Sequence, residues 1–170
     1  MVDTDDNKQL LDQLMLAYGK DVWNYAFSMT RKWDVADDVT QEVFIKVYRN
    51  MNSFRRDSSV KTWLLTITRN TVIDYRRSAF IRKVTLSDVL EDHSERQSAE
   101  QEVIGNWTVN EMWAMVLKLP SKYREVIILY AHNQLSLKEI SEVLDVTEGT
   151  VKSRMFHARK KLTLMKEANR

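Results

Sequence analysis

Seven side chains of the kinds that contact nucleic acid lie between positions 152 and 160 of this 170-residue chain. Lys and Arg bind backbone phosphates, Ser and Lys hydrogen-bond to base edges, and apolar groups contact the thymine methyl in the major groove. The segment therefore predicts a surface that reads double-stranded DNA. The seven residues are Lys152, Ser153, Arg154, Phe156, His157, Arg159 and Lys160.

The helical spacing of this segment predicts one face that packs against the protein and an opposite face that is exposed to solvent. At about 100° per residue, an apolar stripe forms opposite Phe156, which lies among the basic side chains. A single exposed phenylalanine is common in proteins and often has no function. The basic surroundings favour the other interpretation, in which DNA is the partner of Phe156. The apolar stripe consists of Val151, Met155, Ala158 and Leu162.

The residues just before the basic segment have the spacing of a helix–turn–helix motif. Ser136 and Glu139 have the capping-box pattern that begins a helix. Asp145 lies where the tight turn requires a left-handed backbone, which Gly most often supplies and Asp tolerates at some cost. Thr147 then caps the second, basic helix. Helix pairs of this spacing also occur without function, but the positive charge of the second helix favours DNA binding.

Charge alternates in blocks along the chain. Residues 43–83 contain ten basic and two acidic side chains, and residues 147–170 contain seven basic and two acidic ones. Residues 84–106 between them contain one basic and six acidic side chains. Two basic blocks with an acidic spacer favour two contacts with a polyanion, whereas plain solvation of helix faces is the alternative.

The composition predicts an all-α protein. Turns and β-bulges depend on Gly and Pro, and the chain has three Gly and one Pro. Apolar residues at helical spacing predict helices over 7–33, 34–51 and 62–80 and again from 107, with a polar loop at 52–61. The first helix is either continuous or divided near Gly19. Its apolar positions include Leu10, Leu14, Val22, Tyr25 and Met29.

The order of these segments predicts two small helical domains joined by a flexible acidic linker. The N-terminal helical bundle spans 1–83, the linker spans 84–106, and a four-helix domain with the helix–turn–helix spans 107–170. The absence of Cys excludes disulfides and thiolate metal sites.

The chain resembles bacterial RNA polymerase sigma factors of the extracytoplasmic-function (ECF) type, a group within the sigma-70 family. The segment "DVADDVTQEVFIKVYRNMNSF" is similar to the part that docks on the polymerase clamp, and "TWLLTITRNTVIDYRR" to the helix that opens and reads the −10 element. The segment "LPSKYREVIILYAHNQLSLKEISEVLDVTEGTVKSRMFHARKKL" is similar to the −35-reading domain. The resemblance implies an alternative sigma factor that binds core polymerase and directs promoter-specific initiation.

The resemblance also implies roles for individual residues. Core polymerase would be bound by Asp38, Gln41, Glu42 and Phe44. The −10 element would be bound by Phe54, Arg55, Lys61, Trp63, Asn70, Arg76 and Arg77. The seven residues of the 152–160 segment would bind the −35 element. Two alternatives stay open: the acidic group near Asp38 could be a solvated face, and Trp63 could belong to the core.

Three positions depart from the pattern of the family. Thr66 and His157 stand where relatives often carry a basic residue, which leaves the promoter sequence undetermined. Asp145 stands where Gly is usual.

The resemblance implies a protein without catalysis, cofactor or metal. Its partners would be the clamp and flap regions of core RNA polymerase, promoter DNA and an anti-sigma factor, with no small-molecule substrate and no direct membrane insertion. It would act in the cytoplasm, where an anti-sigma factor could hold it at the membrane.

Three other classes of protein compete with this interpretation. A stand-alone helix–turn–helix regulator would bind duplex DNA without polymerase. An enzyme is disfavoured because the three His are scattered and no phosphate-cradling Gly loop exists. A helical adaptor that binds only proteins is disfavoured by the two basic blocks.

Overall fold

The structure is a computed structural model, and it describes residues 4–54, 57–86 and 111–170. The regular elements within these ranges are all helical, so the predicted all-α class is confirmed. The N-terminal unit consists of α1 (Thr4–Thr30), α2 (Trp33–Arg49), a short 3₁₀ turn (Met51–Ser53) and α3 (Val60–Leu86). The C-terminal unit consists of α4 (Glu111–Lys118), α5 (Ser121–Ile127), a π-helical turn (Ile128–His132), α6 (Leu137–Leu144) and α7 (Glu148–Ala168).

Helix α1 is continuous, so the division considered near Gly19 is absent. Apolar residues three and four positions apart face the neighbouring helices, and Val22 and Tyr25 are fully buried. Leu10 does not belong to this face, because 43% of it is exposed. Leu11 packs against the core in its place. The helix ends where Arg31 takes a positive φ of 56°, which reverses the chain into α2.

Helices α2 and α3 complete the N-terminal bundle. The apolar side of α2 is buried at Ala36, Val39, Val43 and Val47. The segment from Val60 onward is helical, although its β-branched residues would also permit a strand. The described residues form no strand with which it could pair. α3 continues through Leu86. The rest of the predicted acidic linker, residues 87–106, lies outside the described residues.

The C-terminal unit is built around the helix–turn–helix pair α6 and α7. Val151, Met155 and Ala158 are buried against the preceding helices, which confirms the predicted apolar stripe of α7. The N-cap of α5 is Pro120, and Ser121 is its first helical residue.

The two units pack directly on each other. α1 contacts α5, and α3 contacts α6. The buried apolar residues of both units form one continuous cluster.

Candidate nucleic-acid interface

The helix–turn–helix is held by the local contacts that its sequence predicts. The Ser136 hydroxyl accepts from the Glu139 backbone N–H at 3.1 Å, and Glu139 Oε2 accepts from the Ser136 N–H at 2.7 Å. This reciprocal capping box fixes the start of α6 and lowers the pKa of Glu139, chiefly through the Ser136 backbone bond. Asp145 has a φ of 52°, and the Thr147 hydroxyl caps α7 by accepting from the Thr150 N–H at 3.2 Å. The turn therefore presents α7 at a fixed angle.

The predicted reading face of α7 points to solvent. Phe156 is 65% exposed although it is aromatic, and its ring meets the His157 ring edge-on at 5.4 Å. Arg154 is half-buried, and the other five residues predicted to contact the −35 element are exposed like Phe156. The structure thus brings all seven predicted residues to the accessible side of one helix.

The face of α7 is divided into two shallow grooves that the sequence did not predict. One groove combines Lys152, Phe156, Arg159 and Lys160 with Tyr130 of the π-helical turn. The Arg159 guanidinium lies over the Tyr130 ring at 5.6 Å, a cation–π arrangement that holds the guanidinium near the groove.

The second groove lies on the other side of the recognition face. It combines Ser153, Arg154 and His157 with Lys122 and Tyr123 of α5. Tyr123 and Tyr130 were missed because only tertiary packing brings them to α7. The sequence gives one indication of these two residues: each is an aromatic side chain with a polar hydroxyl group in an otherwise apolar helical stretch.

The N-terminal unit carries an aromatic pair at the predicted −10 surface. The Phe54 and Trp63 rings have centroids 4.9 Å apart, and both side chains are half-buried. Trp63 also packs against the core, so it combines the two roles that the sequence left open. Arg55 lies outside the described residues, and its role stays a prediction.

The other predicted −10 residues differ in whether their side chains are already bound within the protein. Asn70 and Arg77 are exposed on α3. Lys61 instead forms an ion pair with Asp21, at 3.6 Å between Nζ and Oδ2. Arg76 donates a hydrogen bond from Nη2 to the Met29 carbonyl oxygen. Two of the predicted DNA contacts are therefore already used within the protein.

The predicted polymerase-binding residues fall on α2, but not all on one surface. Asp38, Gln41 and Glu42 are exposed. Phe44 is only 5% exposed, so its side chain is far less accessible than the other three. It forms part of the wall of an apolar groove that also includes Gln41.

This groove between α1 and α2 was not predicted. It has a volume of about 590 Å³ and is lined by the indoles of Trp23 and Trp33, among others. Trp23 Nε1 donates to Asp37 Oδ1 at 2.7 Å, and the two indole rings lie 4.7 Å apart. The aromatic residues near the end of α1 and at the start of α2 were the sequence feature that could have indicated this groove.

Other kinds of site find little support in the described residues. Within 4–54, 57–86 and 111–170, no group of His, Asp or Glu is arranged to hold a metal ion. The described helices include none that is long and apolar enough to cross a membrane.

The two helical units, the second with an exposed basic face on α7, match two regions of the sigma-70 family. Residues 14–79 match the family described as Sigma-70 region 2, and residues 110–162 match Sigma-70, region 4. The ECF RNA polymerase sigma factor SigM of Bacillus subtilis (strain 168) is 35% identical over 153 residues, which cover 89% of this chain and 92% of SigM. SigW of the same organism, also an ECF sigma factor, is 32% identical over 154 residues, covering 85% of this chain and 82% of SigW.

A solved structure has a similar fold over almost the whole chain. CnrH in complex with the cytosolic domain of CnrY is 25% identical, with a TM-score of 0.71, and the match covers 98% of this chain and 94% of CnrH. The chain belongs to the ECF RNA polymerase sigma factors. It is an alternative sigma factor that directs transcription initiation, as the sequence predicted.

Proposed function

We propose that this sigma factor divides promoter recognition between residues 1–83, which bind core polymerase and open the −10 element, and residues 107–170, which read the −35 element. The acidic segment 84–106 joins the two. The observation that carries this division is the pair of separate surfaces: the Phe54–Trp63 aromatic pair beside α3 and the exposed basic face of α7. The match of the N-terminal unit to sigma region 2 disfavours a stand-alone helix–turn–helix regulator.

The α7 face suits duplex DNA. Lys152, Ser153, Phe156 and His157 enter the major groove, where hydroxyl, amine and apolar groups discriminate bases. Arg154, Arg159 and Lys160 hold phosphates at its edges.

The −10 surface suits single-stranded DNA instead. An aromatic pair provides a stacking platform for an unpaired base, and the cations around it neutralise the backbone. Arg55, Lys61, Arg76 and Arg77 supply these cations, and Asn70 contacts the strand edge.

The α2 surface docks on the polymerase clamp. Asp38, Gln41 and Glu42 supply hydrogen bonds, while Phe44 shapes the adjoining groove. The clamp and flap regions of core polymerase are the protein partners during initiation, and an anti-sigma factor restrains the protein otherwise; the complex of CnrH with CnrY supports the second partner by analogy. The chain has no catalysis or cofactor of its own and acts in the cytoplasm.

The test combines polymerase capture with run-off transcription. Replacing Gln41→Ala and Glu42→Ala together should weaken capture of core polymerase at least about 30-fold, because truncating even one interface group of this kind costs on the order of 2 kcal/mol. The matched control is Asp12→Asn with Gln13→Ala, two exposed polar residues of α1 that do not line the groove shared with Gln41. Equal capture by both double variants, with normal helicity, would rule out the α2 surface.

A further inference from the structure

The guanidinium of Arg159 on α7 lies against an aromatic ring and not against a carboxylate. Its Cζ is 5.6 Å from the centre of the Tyr130 ring. Within residues 4–54, 57–86 and 111–170, no acidic side chain forms an ion pair with Arg159. The π face attracts the cation, while the N–H donors in the guanidinium plane stay free to bind an anion. The ring therefore holds this cation in place and leaves its hydrogen-bonding capacity unused.

Tyr130 is itself fixed in position by the π-helical turn in which it lies. The two residues before it, Ile128 and Leu129, are buried. Their carbonyl oxygens accept from the backbone N–H groups of Asn133 and Leu135, both at 3.0 Å. Tyr130 is 43% exposed, so its anchored neighbours support a ring that remains accessible. Single π turns of this kind often occur at functional sites, and here the turn places an aromatic ring beside α7.

The groove around this pair combines apolar and cationic lining. The buried Met155 and the half-buried Leu137 contribute apolar surface. Lys152, Arg159 and Lys160 contribute positive charge, and none of the described residues that line the groove is acidic. The backbone of DNA offers apolar sugar carbons next to anionic phosphates, and proteins contact both. The groove therefore matches a DNA backbone strand that runs beside the major groove.

The ring lowers the entropic cost of binding a phosphate. A free arginine side chain has many rotamers and loses most of this freedom when it is fixed on a ligand. At Arg159 the Tyr130 ring has already removed part of that freedom before DNA arrives. The planar guanidinium can then donate two parallel hydrogen bonds to phosphate oxygens. Lys160 lines the same groove and has no ring contact in the described part of the chain, so it provides an internal comparison.

We propose that Tyr130 is a positioning residue for −35 binding, whose ring holds the Arg159 guanidinium ready for a DNA phosphate. Tyr130 lies outside the helix–turn–helix and is not among the residues that the sequence predicted. The inference rests on the proposed function, in which Arg159 holds a phosphate at the edge of the major groove. Because phosphate contacts carry no sequence information, the ring sets how tightly α7 binds and not which −35 sequence it prefers.

The experiment is a double-variant cycle in the holoenzyme formed from the full-length chain and core RNA polymerase. Tyr130→Leu removes the ring, Tyr130→Phe keeps the ring without its hydroxyl, and Arg159→Gln removes the cation. Affinity for one promoter duplex is titrated at several salt concentrations. The control cycle uses Lys160→Gln in place of Arg159→Gln, because it removes a cation of the same groove that the ring does not hold.

Tyr130→Leu should weaken promoter binding about two- to tenfold, which is the effect of holding one rotamer-rich side chain in place. Tyr130→Phe should bind like the wild type. In the Arg159→Gln background Tyr130→Leu should have no further effect, whereas in the Lys160→Gln background its full effect should remain.

Two further measurements separate positioning from a general disturbance of α7. The slope of log affinity against log salt should fall by about 0.9 for Arg159→Gln and stay at the wild-type value for Tyr130→Leu, because this variant keeps every charge. Transcription from a library with a randomised −35 element should show the same sequence preference for Tyr130→Leu as for the wild type.

Four results would overturn the proposal. They are wild-type affinity in Tyr130→Leu, an equal loss in Tyr130→Phe, a loss that persists in full in the Arg159→Gln background, and a −35 preference that changes in Tyr130→Leu. If Tyr130→Leu lowers the helicity, Tyr130→Gln replaces it under the same criteria. If Arg159→Gln leaves both affinity and salt slope unchanged, the proposed function fails at this residue and the proposal fails with it. In the four results above Arg159→Gln still weakens binding, so only the role of Tyr130 is lost.

Discussion

Two basic side chains of α3 and three of α7 are in opposite situations. On α3, Lys61 pairs with Asp21, and Arg69 pairs with Glu125. On α7, Lys152, Arg154 and Lys160 form no ion pair within the part of the chain that the structure describes. The same kind of charge stabilises the protein in one unit and remains available in the other. The three α7 cations are therefore available without the loss of an ion pair, whereas Lys61 and Arg69 would first have to leave their carboxylate partners.

The largest expected effect is a loss of DNA melting, without a loss of duplex binding, in the Phe54→Ala variant. Phe54→Ala removes half of the aromatic pair and should reduce open-complex formation by roughly 1–3 kcal/mol, or about 5- to 150-fold, because base stacking on an aromatic side chain has this magnitude. Permanganate footprinting of the −10 region measures melting. Phe156→Ala, which removes an equal ring from the other unit, is the matched control and should melt normally once bound. Equal melting by the Phe54→Ala variant and the wild type would remove the aromatic pair from the mechanism.

A smaller effect should appear in sequence preference at α7. Phe156→Ala should change the preferred −35 sequences by about 1 kcal/mol, since a single apolar base contact lies at the low end of base discrimination. Transcription from a promoter library with a randomised −35 element measures the preference. Leu164→Ala, at a 57% exposed apolar position two turns further along α7, is the control and should keep the wild-type profile. If Phe156→Ala keeps that profile too, Phe156 is an incidental surface residue.

The comparison between paired and unpaired cations can be tested by salt dependence. Lys160→Gln should lower the slope of log affinity against log salt by about 0.9 on promoter DNA, because one phosphate contact is lost. Lys61→Gln should lower it less, since Lys61 must first leave Asp21. Titrations of holoenzyme binding at several salt concentrations measure both slopes. A larger change for Lys61→Gln would reverse the assignment of available and occupied charges.

The smallest expected effect is a pH dependence of unit packing. Burial lowers the pKa of His132, which lies against Asn24 of α1 and the Trp113 ring; Asp21 raises this pKa, and Lys61 and Lys20 lower it further. Protonation therefore favours separated units, in which His132 regains its ordinary pKa of about 6.5. The packed state should be fully favoured above that value and should weaken as the pH falls from 6.5 through the lowered pKa.

The rate at which a short thiol-reactive cross-linker joins Ser59→Cys to Glu139→Cys, which meet between the two units, measures this dependence. Dividing it by the rate for Lys46→Cys and Asp74→Cys, which meet within one unit, removes the pH response of the thiols themselves. His132→Gln should flatten the ratio between pH 5 and pH 8. A ratio that rises as the pH falls would contradict the direction of the pKa shift.

Local chemistry made much of this molecule predictable. The capping box at Ser136, the left-handed Asp145 and the apolar stripe of α7 depend on neighbours within a few positions, so the sequence contains what determines them. Phe54 and Trp63 were both predicted, but their mutual contact was not, because the intervening loop sets it.

Contacts between segments that are distant in the sequence could not be predicted from sequence patterns. Arg69 and Glu125 are separated by 56 positions, and each looks like an ordinary exposed charge on an amphipathic helix. Phe44 was assigned to the polymerase surface by resemblance, and its burial follows from how α1 lies across α2. Helical periodicity gives the faces of each helix but not which helix covers them.

The π-helical turn at Ile128–His132 makes the contact between the two units sensitive to chain length. A π turn holds one residue more than an α turn, and it sets which side chain after α5 points at α1. Deleting one residue there would restore α-helical spacing and rotate the following residues by about 100°, which would take His132 away from Asn24. Single-residue insertions and deletions at this turn would thus change how the two units contact each other, while the sequences of α3 and α7 stayed the same.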